Sequence, residues 1–63
     1  MGKSYEVRCG DRLVSLQNSR TPREAVTEYL RSLGCRESEM TTVSRIAISW
    51  RGATFRAVPL GSE

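Results

Sequence analysis

Thr21-Pro22-Arg23-Glu24-Ala25-Val26-Thr27-Glu28-Tyr29-Leu30-Arg31-Ser32-Leu33-Gly34 is the stretch on which the fold turns. Thr21 is a suitable N-cap, Pro22 fits the first helical position, and Glu24 stands at N3, completing a capping box. Ala25, Val26, Tyr29, Leu30 and Leu33 recur at helical spacing and form one apolar stripe. Gly34 suits a left-handed C-cap, with Cys35 placed to contact Leu30 in a Schellman ending. Start, face and stop agree on a helix in the middle of the chain.

Strand patterns flank it. Gly10-Asp11 reads as a two-residue hairpin turn, with glycine supplying the positive φ. That loop sets Cys9 opposite Arg12, Val7 opposite Val14 and Tyr5 opposite Leu16. Tyr5, Val7, Cys9, Val14 and Leu16 then share one face, with Glu6, Arg8, Leu13 and Ser15 on the other. Arg51-Gly52 predicts a second hairpin, pairing Trp50 with Ala53, Ile48 with Phe55 and Ile46 with Ala57. Its opposite face carries Arg45, Ala47, Ser49, Thr54, Arg56 and Val58. Pro59 ends the ladder or marks an edge strand. The polar run from Arg36 to Thr42 reads as a loop with one helical turn near Ser38.

The pattern is ββαββ, an α+β domain spanning residues 1–63, with two hairpins in a small antiparallel or mixed sheet and the helix on one face. The expected core is Tyr5, Val7, Val14, Leu16, the helix stripe, Ile46, Ile48, Trp50 and Phe55. At 63 residues the chain sits near the lower limit for a self-sufficient core and has little room for a deep cavity.

The absent chemistries narrow the function classes. There is no histidine, so the commonest general base and zinc ligand are missing. Cys9 and Cys35, too few for a tetrahedral zinc site, read as reduced, buried thiols. Glu24 and Glu28 share a helix face, but capping and pairing with Arg31 account for them. No motif calls for a cofactor, a metal or a small-molecule substrate, and a non-enzymatic role is expected. No apolar run approaches the roughly 18 residues of a membrane span, and the first residues lack the apolar stretch of a secretory signal. A cytoplasmic protein is the expectation.

Net charge is +3, and the basic residues are arginines apart from Lys3. The predicted register places Arg8, Arg45 and Arg56 on the sheet face away from the helix, beside Ser15, Ser49 and Thr54. Arg12 and Arg51 stand near the hairpin tips. Arginine forks and hydroxyls suit phosphates, so a nucleic-acid contact through these five arginines is one expectation. That face carries no aromatic to stack bases. Leu13, Val43, Val58 and Leu60 also point outward, with Val43 set opposite Leu60, and form a candidate protein interface. The alternative expectation is therefore an interaction module, a homodimer or a small accessory or inhibitor subunit, using these residues or the sheet edges.

Overall fold

The computed structural model describes residues 2–60; Glu63, included in the charge above, lies outside them. Its strands are β1 (Lys3–Cys9), β2 (Arg12–Ser19), β3 (Thr41–Ser44), β4 (Ala47–Trp50) and β5 (Ala53–Pro59), with helix α1 (Pro22–Ser32) after β2. They form one antiparallel sheet in the order β2-β1-β5-β4-β3. The fold is α+β, as the sequence predicts, with a third strand added to the second hairpin.

Helix α1 is held at both ends as its sequence requires. Thr21 Oγ1 accepts the Glu24 N–H at 3.1 Å, while the Glu24 carboxylate accepts at 3.3 Å the N–H of Arg20, one residue before the cap, rather than that of Thr21 as the expected capping box has it. At the other end the Cys35 N–H donates to the Leu30 carbonyl and the Gly34 N–H to that of Arg31, the two bonds of a Schellman motif. Gly34 takes the positive φ of 93° that this reversal needs. Ala25, Val26 and Leu30 face the sheet and are buried against Tyr5, Val7, Ile48, Phe55 and Ala57. The Tyr29 ring is tilted on Phe55, centroids 5.9 Å apart. Leu33 does not join the stripe: the reversal puts Cys35 on Leu30 and leaves Leu33 half exposed.

Both turns on which the hairpins were read are present. Gly10 has φ 65°, and Arg51 and Gly52 have φ 53° and 80°, the paired positive values of a type I′ turn. In the second hairpin Trp50 pairs with Ala53 and Ile48 with Phe55, as expected. In the first the register holds as far as Arg8–Leu13. An extra residue at Val14 bulges β2, so Val7 faces Ser15, Glu6 faces Leu16 and Tyr5 faces Gln17. Val14 still packs on the core, but Leu16 is turned to the far side of the sheet and is 59% exposed. The same shift brings Ser15 to the helix side, opposite Val7, and leaves Ser19 buried just before the helix begins.

Three further expectations are corrected. The segment Arg36–Thr42 contains the helical turn expected near Ser38, over Glu37–Glu39, but Thr41 and Thr42 belong to β3 rather than to a loop. Arg45 and Ile46 form the β3–β4 turn, so Ile46 is exposed instead of core and Arg45 leaves the sheet face. Val43 lies on β3, which pairs only with β4, and is not opposite Leu60, whose N–H instead donates to the Ser4 carbonyl on β1. Pro59, which lacks a donor, is the last residue of β5, as one of the two expectations for it had it.

Packing and register make a mutational contrast. Leu30→Ala, at a fully buried position, should cost about 2–5 kcal/mol. Leu16→Ser should stay within about 0.5 kcal/mol, the range of an exposed site. Urea unfolding of the two variants measures both.

Candidate functional site

The sheet has one helix-covered face and one without a helix. On the second face four strands bring the notable side chains together. Leu16, Glu6 and Val58 are cross-strand neighbours on β2, β1 and β5; the adjacent row is Leu13, Arg8, Arg56 and Ala47. Beyond Arg56 lie Thr54 and, opposite it, Ser49. Aliphatic side chains thus border a charged centre, with hydroxyls toward the hairpin tips.

Arg8 and Arg56 stand directly opposite each other, an arrangement that like charges disfavour. Glu6 relieves it. Its Oε1 accepts from Arg8 Nε at 3.0 Å and from Nη2 at 2.9 Å. The two side chains are only partly exposed, 34% for Arg8 and 25% for Glu6, and the pair contributes up to about 1 kcal/mol. Among the described residues Arg56 has no carboxylate within ion-pair distance.

The structure separates the other candidates. Cys9 pairs with both Arg12 and Phe55, so the two tight turns lie at one end of the sheet and carry Arg12 and Arg51 there. Arg51 lies over the Trp50 ring, 4.9 Å from its centroid, and Trp50 Nε1 donates to Glu39 Oε1 at 3.3 Å. Arg45 is at the opposite end, in the β3–β4 turn. Of the five arginines, Arg8 and Arg56 are neighbours on the open face. Of the four apolar candidates, Leu13 and Val58 flank them, Leu60 lies at the β1 margin, and Val43 is in the bulge of β3. Leu16 is the residue that sequence reasoning missed. Glu6 was placed on the correct face, and its two-residue spacing from Arg8 is the signal for their pairing.

Charge is distributed unevenly. Across residues 20–40, Glu24, Glu28, Glu37 and Glu39 balance Arg20, Arg23, Arg31 and Arg36 one for one. In the rest of the described chain Lys3, Arg8, Arg12, Arg45, Arg51 and Arg56 face only Glu6 and Asp11. The positive excess therefore belongs to the sheet and its turns.

Two surface depressions adjoin helix α1. The larger, about 520 Å³, lies along the solvent side of α1 between Arg23, Glu28, Arg31 and Glu37; the smaller, about 340 Å³, runs between α1 and β3. Among the described residues no three His, Cys, Asp or Glu side chains cluster as metal ligands would, and no helix is long and apolar enough to cross a membrane. No protein-family model matches the chain, and no curated protein or solved structure shows significant similarity to it.

The thiols differ in environment. Cys9 is half-buried and Cys35 buried, and both are free. Burial pushes the Cys35 thiol above its ordinary range, nearby Glu39 adds to this, and Arg51 opposes it. An unfolded chain would ionise this thiol first, so its contribution to stability is complete below the ordinary thiol pKa of about 8.5 and is lost as pH rises through the higher folded value. Iodoacetamide near neutral pH should alkylate Cys9 first, with Cys35 reacting mainly on unfolding, and mass spectrometry of tryptic peptides reads the order. Equal labelling of both in the folded protein would contradict this assignment.

Proposed function

We propose that the chain is a non-enzymatic binding protein that docks another protein on the helix-free face of its sheet, and that the partner surface is acidic and partly apolar. The observation that carries this reading is the position of Leu16. The β2 bulge places it outside, in a row with Glu6 and Val58 and beside Leu13, although the sequence alternation would have put it in the core. Aliphatic side chains around two adjacent arginines match the composition of protein interfaces, where arginine is enriched and apolar contacts are central. Because Arg8 and Arg56 outnumber Glu6, the face favours carboxylates on its partner. A second copy docked on the same face would bring like charges together.

A second reading, contact with nucleic-acid phosphates, is favoured by the confinement of the positive excess to the sheet and its turns. Arg8, Arg56, Ser49 and Thr54 would then be the central donors, with Arg12 and Arg51 at the tips. The face lacks an aromatic, and Glu6 occupies part of Arg8, which is why this reading stands second.

The two are separated by one set of variants. Leu16→Asp, Val58→Asp and Arg56→Glu alter the face, and Glu28→Lys on the exposed side of α1 serves as a control. Protein captured from lysate of the native cells should be retained by the control and lost, tenfold or more, with each of the three face variants. In parallel, labelled DNA and RNA oligonucleotides are titrated at rising salt. Salt-sensitive oligonucleotide binding that is weakened by Arg56→Glu and indifferent to Leu16→Asp would support the second reading instead. Capture and oligonucleotide binding that ignore all three face variants would overturn both.

A further inference from the structure

The sheet has two edges, and they differ. At one edge β3 is four residues long and bulged at Val43. At the other, β2 is eight residues long, and its bulge at Val14 lies near the turn. Beyond that bulge Ser15, Leu16, Gln17, Asn18 and Ser19 pair regularly with β1 on one side, and among the described residues no strand lies on the other. From Leu13 to Ser19 there is neither a charged residue nor a proline. Monomeric proteins blunt such edges with charge, proline, short strands or a cover, because a row of unpaired backbone groups is a template for another strand. Past Val14, β2 has neither charge nor proline.

We infer that two copies of this chain pair through β2, antiparallel about a twofold axis, and join their sheets into one of ten strands. A second copy suits this edge for three reasons. Antiparallel pairing of a strand with itself is isologous, so each copy offers the other the same groups. With no charge from Leu13 to Ser19, the copies meet no like-charge repulsion along that stretch, and a charged foreign strand would find no countercharge there. Ser15, Gln17 and Asn18 carry groups that donate and accept, so their side chains are compatible with one another across the axis. The two exposed Leu16 side chains would come to the middle of the joined outer face. The inference does not rest on the docking reading, since Arg8, Arg56 and Val58 stay open in the dimer and the docking face is doubled.

The experiment is sedimentation equilibrium of the full chain from about 10 μM to 1 mM, with amide hydrogen exchange at both limits. The average mass should rise from 7.1 kDa toward twice that value, with protection growing at residues 15–19. The double variant Gln17→Lys and Asn18→Lys places a charge on each side of the edge. It should remain at monomer mass throughout, with its circular dichroism unchanged. Val58→Asp, which disables the proposed docking face, should dimerise normally. A wild-type mass fixed at 7.1 kDa overturns the inference, as does concentration-dependent protection located elsewhere. Dimerisation that survives the lysines, or that is abolished by Val58→Asp, overturns it too, and the latter points to self-association through the open face. If the lysine variant fails to fold, the wild-type exchange pattern decides alone.

Discussion

One short helix has a whole sheet to cover. The eleven residues of α1 span about 16 Å, and five strands about 4.8 Å apart occupy roughly 19 Å between the outermost backbones. That is enough to cover β2, β1, β5 and β4 on one face and leaves nothing for the other. The core is accordingly a single layer, in which Val26 and Leu30 meet Val7, Ile48 and Phe55. The helix must therefore be placed accurately, and the caps at Thr21 and Gly34 do this by fixing where it starts and where the chain turns away. The helix-free face follows from the same limit, and its chemistry is where a function for this domain has to be sought.

What stands on that face is governed by the bulge at Val14. Bulges gather at sheet edges and re-aim the residues beyond them. Here the consequence is that small and polar Ser15, Gln17 and Ser19 turn to the helix side, while Leu16 joins Leu13 and Val58 outside. The Glu6–Arg8 pair is the complementary device, because it allows a second arginine to stand opposite Arg8. A face with aliphatic borders and a cationic centre results, in the part of the chain that holds the positive excess. Residues 20–40, with their acidic and basic groups balanced, offer no comparable asymmetry.

The sequence was legible where a local rule acts alone. Thr21, Pro22 and Gly34 delimit the helix by backbone chemistry that needs no tertiary information, and Gly10 and Gly52 mark turns for the same reason. The register of the second hairpin followed from its turn and its alternation together. What was not legible depended on neighbours. Leu13-Val14-Ser15-Leu16 alternates like an uninterrupted strand, and nothing in it marks an extra residue, so the pattern alone puts Leu16 in the core. Thr41 and Thr42 looked like loop because a short, fully exposed edge strand carries no apolar face to give it a period. Leu33 matched the helical stripe, but the Schellman reversal substituted Cys35 for it. The candidate site was legible in part. Arg8, Arg56, Leu13 and Val58 lie on the face where they were expected, whereas Arg45 went to a turn because the β3–β4 connection was not foreseen.

The open face depends on the outward position of Leu16, which nuclear Overhauser contacts of its methyl groups test directly. It predicts cross-peaks from the Leu16 methyls to Glu6 on the neighbouring strand and none to the helix. Cross-peaks from Leu16 to Val26 or Tyr29 would place it in the core, remove the bulge and contradict the assignment of the open face.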